Sequence, residues 1–198
     1  MPIPATSPVH PHSPVAALRR VLLAALAVGM CLGGSISAAP KPADPDALLA
    51  AFIYNFCLFT KWPAPAAGES RAPLVIVTSG KPLPALVSLA QRTVRKRAIR
   101  IVVLAAGEPL PEECDVLVVN GLPAAKRDSL LAIAAPRPIL TLARDPSFCQ
   151  AGGIVEFFVA KDRMRFRVSR VHMRRAGLRI RSRLLKLAEI VPAPERKQ

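Results

Sequence analysis

Hydrophobic and polar positions divide the chain into segments of two periods. Between Asp44 and Trp62, Leu49, Phe52, Ile53, Phe56 and Phe59 recur at helical spacing and form one apolar face. Asp44-Pro45-Asp46 opens that segment with an N-cap acid, a proline at the first helical position and a second acid in the positively polarised first turn. Trp62-Pro63 closes it, since the residue before a proline avoids the α region. A loop over 63–73 follows. Short apolar, β-branched runs then alternate with helical patterns: strand Leu74–Thr78, helix Ala85–Thr93, strands Ile99–Leu104 and Val116–Val119, helix Pro123–Ala134 and strand Ile139–Leu142. Continuous apolar strands separated by helices describe a largely parallel sheet covered on both faces. The period then changes to two. Val155–Val159 and Met164–Val168 flank the polar turn Ala160-Lys161-Asp162-Arg163 as an antiparallel hairpin. A last helix is expected from Ser182 to Ile190, stopped by Pro192. The pattern predicts a single-domain α/β layered sandwich: a mixed, mostly parallel sheet of about six strands, helices on both faces and a C-terminal antiparallel hairpin.

The first residues follow another rule. Arg19-Arg20 precede the apolar run Val21–Leu32, and small residues follow it, Gly33-Gly34-Ser35-Ile36-Ser37-Ala38-Ala39. A positive start, a short apolar run and a small-residue cleavage region describe a secretory leader. The run is shorter than the roughly 20 residues of a spanning helix. Residues 1–38 are read as a signal peptide cleaved after Ser37 or Ala38, 39–47 as a linker, 48–191 as one domain and 192–198 as a tail. The two arginines fit twin-arginine export as well as the general route. Export places the mature protein in the periplasm, and about 160 residues remain to bury one sizeable core.

The chain is strongly basic, with a formal net charge of +15. Of 28 Lys and Arg only Arg19 and Arg20 lie in the leader, while all 13 acids follow it. Outside the cytosol such a basic protein meets anionic lipid head groups, cell-wall polymers or an acidic protein surface. One Trp and one Tyr leave little for base stacking, and export removes the chain from nucleic acid. Lys161 to Lys186 holds eleven Lys/Arg and one acid, Asp162. Arg163, Arg165 and Arg167 alternate with Met164, Phe166 and Val168, so one face of that strand is basic and the other packs inward. The basic face is either a solvated strand surface or an electrostatic docking surface, with Arg174 and Arg175 close by in sequence.

Catalytic chemistry is not visible. His10 and His12 lie in the leader, which leaves His172 in an arginine-rich segment that lowers its basicity. No paired Cys-x-x-Cys and no Gly-rich phosphate loop is present, so neither a metal nor a nucleotide cofactor is expected. Cys57, Cys114 and Cys149 survive export into an oxidising compartment, where one pair is expected to bridge and one thiol to be left over.

Two segments carry a specific resemblance. Ala51-Phe52-Ile53-Tyr54-Asn55-Phe56-Cys57-Leu58-Phe59-Thr60-Lys61-Trp62-Pro63 is similar to the opening motif of the YfiR-like family of periplasmic regulators. Gly152-Gly153-Ile154, Arg163-Met164-Arg165-Phe166, Arg174-Arg175-Ala176-Gly177-Leu178 and Ser182–Ala188 resemble its closing motif. Glu113–Val118 and Pro138–Leu142 resemble its middle strands.

The resemblance implies an α/β sandwich, a tendency to homodimerise and a regulatory role. Its best-known member holds an inner-membrane diguanylate cyclase inactive through that enzyme's periplasmic sensing domain and so restrains biofilm formation. It also implies a disulfide between Cys114 and Cys149, worth roughly 3–4 kcal/mol on the chain-entropy model and open to redox control. Cys57 is then a buried free thiol. Departures are clear. Arg167 and Ser169 stand where the family often has an acid and an amide, so the partner can differ. The loop Thr78-Ser79-Gly80-Lys81 lacks the acidic character common after the family's first strand, so the resemblance carries no ligand to it. The reading is a non-enzymatic inhibitor of a membrane signalling protein. The alternative is a periplasmic small-molecule or cell-wall-binding protein that reports to a sensor kinase or transporter.

Overall fold

The computed structural model describes residues 44–63, 72–105 and 107–192; the leader, with its cleavage site, and the end of the tail lie outside the described residues. The elements in chain order are α1 (Pro45–Phe59), β1 (Thr60–Lys61), β2 (Leu74–Gly80), a 3₁₀ helix (Pro84–Gln91), β3 (Thr93–Val94), β4 (Arg97–Leu104) and β5 (Val116–Asn120). Next come α2 (Ala124–Ala134), β6 (Leu140–Ala143), β7 (Val155–Ala160), β8 (Arg163–Ser169), α3 (Arg170–Arg175), β9 (Arg179–Ile180), α4 (Ser182–Leu185) and β10 (Glu189–Val191).

α1 starts as its residues dictate. The Asp44 carboxylate accepts the Asp46 N–H at 3.0 Å, and Pro45 fills a position whose N–H has no intrahelical acceptor. The main sheet has eight strands in the order β10-β8-β7-β6-β5-β2-β4-β3. β4, β2, β5, β6 and β7 run parallel, and β7–β8 is the antiparallel hairpin. Its turn places Lys161 and Asp162 at φ +52° and +55°, a two-residue turn whose twist suits a hairpin. The count exceeds the expected six because two short strands extend the edges: β3 pairs antiparallel with β4, and β10 pairs parallel with β8.

Each face of the sheet has its own core. On one face α1, the 3₁₀ helix and the α3–β9–α4 segment cover Ile76, Val118, Leu142, Phe157 and Phe166. On the other, α2 and the loop carrying Phe148 cover Val75, Val77, Leu117 and Val119. The expected last helix is corrected. It is one turn, Ser182–Leu185, and the chain then extends along β8 as an edge strand. The apolar spacing over 184–190 fits a helix, but Leu187 and Ile190 are exposed, so that face has nothing to pack against.

The family-like motifs have packing roles in this frame. Phe52 and Phe56 meet Phe157 and Phe166 in tilted or edge-on pairs with centroids 5.1–5.9 Å apart, which fixes α1 on the hairpin. The Tyr54 hydroxyl donates to the Thr93 carbonyl at 3.2 Å, and the Trp62 indole N–H donates to the Asp115 carbonyl at 3.2 Å. Asn55 is exposed.

Candidate partner-docking face

β8 presents Arg163, Arg165 and Arg167 on one face, as its alternation requires, but they do not act alike. The Glu156 side chain on β7 is only 4% exposed, and it lies opposite Arg167 in the hairpin register. Arg167 Nη1 donates to Glu156 Oε1 at 2.8 Å, and the second oxygen accepts the Cys149 N–H at 3.2 Å. Arg167 Nε also donates to Glu189 on β10 at 3.2 Å, and its guanidinium lies 4.0 Å from the centre of the Phe158 ring. Those carboxylates raise the Arg167 pKa, the Glu156 hydrogen bond contributing most. Arg165 faces Glu189 at 3.7 Å. The ladder Glu156–Arg167–Glu189–Arg165 therefore neutralises most of the expected basic strand. Arg167 secures a buried acid.

Further on lies a run of basic residues without acidic partners. Among the described residues Arg163, Arg170, Arg174, Arg175, Arg179, Arg181, Arg183 and Lys186 make no ion pair. Most belong to α3, β9 and α4, three short elements that each spend their apolar side chains on the core. Met173, Leu178, Ile180 and Leu184 point inward, which leaves the arginines to solvent. α3 is capped by Ser169, whose buried Oγ accepts the His172 N–H at 3.4 Å; His172 Nδ1 lies 3.0 Å from the same oxygen and 3.2 Å from the Gly153 carbonyl. This Ser–His contact serves the helix start. Ser169 is buried.

The thiols are kept apart. All three are free in the structure. Cys114 leads into β5, with its Sγ 3.5 Å from the Val116 carbonyl, whereas Cys149 Sγ faces the carbonyls of Ile154 at 3.4 Å and Arg167 at 3.8 Å. β6 lies between β5 and β7. The bridge implied by the resemblance is not made in the structure. Burial pushes each thiol up to about 12, so none is a ready nucleophile.

No sequence signal pointed to Glu156 and Glu189 as partners of Arg167. They lie 11 and 22 residues away, and only the register of β7–β8–β10 joins them.

Comparison with known families now meets this geometry. The profile of the YfiR/HmsC-like family matches residues 46–189, from the first turn of α1 to the start of β10. The chain belongs to the YfiR/HmsC-like family. It is a family of periplasmic regulators that act with membrane signalling proteins and is not a catalytic one. No curated protein matches the chain. Among its described residues no helix is long and apolar enough to cross a membrane.

Proposed function

We propose that this protein is a periplasmic regulator that docks on the sensing domain of an inner-membrane signalling enzyme of the diguanylate cyclase type and holds it inactive. The observation that carries the reading is the unneutralised basic surface of α3, β9 and α4, set beside a sheet whose strand charges other than Arg163 are paired. Such a surface recognises an acidic receptor domain and accelerates encounter with it. Arg163, Arg174 and Arg175 supply the attraction. Arg165 and Arg167 maintain the neighbouring structure.

The test is reconstitution of the mature protein with the membrane-bound diguanylate cyclase of its own cell envelope, with cyclic di-GMP production as the readout. The wild-type protein lowers production, and Arg174→Glu with Arg175→Glu restores it without changing the melting temperature. Equal inhibition by the wild type and the charge-reversed variant would refute the assignment of the face. No inhibition by either protein would refute the function.

A further inference from the structure

The parallel strands hold a second feature that the docking reading does not use. Their order β4-β2-β5-β6-β7 places the first of them, β2, between the next two in the chain. The chain leaves β2 toward β4 on one side, then crosses to β5 on the other. The carboxyl ends of β2 and β5 are thus a topological switch point, the place where connections diverge and open sheets of this kind leave a crevice.

A crevice is present there. It has a volume of about 560 Å³, and its walls come from the ends of β2 and β4, the loop after β4 and one side of α2. That volume is within the range of small-molecule sites, roughly 300–1,000 Å³. Gly80, in its lining, has φ +101°, and any Cβ there would collide with the Asn120 carbonyl, so glycine lets the ends of β2 and β5 approach closely. The Lys81 N–H donates to the Asn120 carbonyl at 2.7 Å, and Asn120 Nδ2 donates back to the Lys81 carbonyl at 3.0 Å. β2 and β5 are pinned together as their chains turn away, so the shape is built before any ligand arrives.

The lining chooses the ligand class. Leu104, Leu122 and Leu130 provide apolar walls. Ser79 is 7% exposed and lines the crevice, and its hydroxyl makes no hydrogen bond among the described residues. Lys126 stands on the first turn of α2, whose N-cap residue, Pro123, offers no side-chain acceptor. That helix start carries partial positive charge. Glu108 also lines the crevice, its carboxylate held by the Ala105 N–H at 2.9 Å. One ammonium, one hydroxyl and a helix start favour a single negative charge. Glu108 and the lack of any lining guanidinium disfavour a phosphate dianion.

We infer that this crevice binds a small organic carboxylate with a compact apolar body, its carboxylate toward Ser79 and Lys126 and its body against Leu104, Leu122 and Leu130. Binding does not depend on the docking face and is measured on the protein alone.

Titration calorimetry of the mature protein with octanoate, octan-1-ol and inorganic phosphate tests the inference. Octanoate binds saturably at one site and raises the melting temperature. Octan-1-ol binds at least about tenfold more weakly, since it lacks the charge that the helix start and Lys126 recognise. Inorganic phosphate does not compete. Lys126→Glu weakens octanoate binding about tenfold, equivalent to about 1.4 kcal/mol. Ala125→Trp fills the crevice from an exposed position and abolishes binding while the unperturbed melting temperature shows that the fold is kept. No saturable octanoate binding, equal affinity for octanoate and octan-1-ol, or octanoate binding unchanged in Ala125→Trp would each overturn it.

Discussion

Gly153 stands directly against the buried ring of Phe148, and a Cβ at that position would fall inside the van der Waals shell of the ring carbons. Phe148 has no room to retreat, since it fills the core beneath α2 with Leu131, Ile139 and Val119. Gly153→Ala is therefore expected to destabilise the domain by about 1–3 kcal/mol, the usual penalty for overpacking, as a lower urea midpoint at unchanged slope. The Gly-Gly pair of the closing motif thus has a packing reason. The thiols make a second prediction at this scale. Burial keeps all three protonated in the folded chain up to about 12, against 9.0 for an unperturbed thiol. A raised folded-state pKa gives stability that is complete below the unfolded value and is lost as pH rises past it. Stability should therefore fall from pH 9.0 upward toward about 12, as the unfolded chain ionises and the folded one does not. Alkylation should be slow on the native protein and should label Cys57, Cys114 and Cys149 together after denaturation without reductant. A labelled Cys57 beside unlabelled Cys114 and Cys149 would restore the disulfide and with it the redox switch.

At the scale of elements, the ladder across β7, β8 and β10 separates structural charge from docking charge. Removing one partner of a fully buried ion pair costs about 3–5 kcal/mol, because the remaining charge is left unpaired. Arg167 is 39% exposed, so water compensates part of that loss and the cost of Arg167→Gln is smaller. Urea denaturation should show Arg167→Gln less stable than Arg163→Gln, and Arg167→Gln combined with Glu156→Gln should recover most of the difference. A double variant no better than the single would mean that Glu156 is held by the Cys149 N–H and not by Arg167. These elements also show what was legible in the chain. β2, β5 and β6 were readable because parallel strands buried on both faces are continuous apolar runs, and β4 was readable from its apolar residues although it is only partly buried. The hairpin was readable from its period of two. β3, β9 and β10 are two or three residues long, too short for any period to register. The alternating arginines of β8 were visible, but not their neutralisation, since strand register brings the acids from distant sequence. The crevice at the end of β2 was hidden for the same reason: strand order, not spacing, creates it.

For the whole molecule, the two ends of the described chain close on each other. α1 packs through Phe52 and Phe56 on the Phe157–Phe166 hairpin, and Asp46 in its first turn pairs with Arg144 at 3.0 Å, 98 residues away. β1 pairs with β9, and the Arg181 N–H donates to the Phe59 carbonyl at 2.9 Å. Trp62 then ties the end of α1 to Asp115, whose carboxylate accepts the Val75 N–H at 2.9 Å and an Arg97 N–H at 2.8 Å. No part of the sheet can lose α1 without exposing the core that every parallel strand shares. Unfolding should accordingly be one cooperative transition, with the single tryptophan's fluorescence and far-UV circular dichroism tracing the same curve. Phe56→Ala removes a fully buried ring and should cost about 3–5 kcal/mol. That loss alone does not tell an integral α1 from a detachable one. If α1 is integral, both probes shift together by the same amount. If α1 is a detachable cover, the tryptophan signal moves to lower urea while the circular dichroism of the sheet remains, and a rigid docking surface on α3, β9 and α4, whose β9 is held by β1 at the end of α1, is no longer tenable.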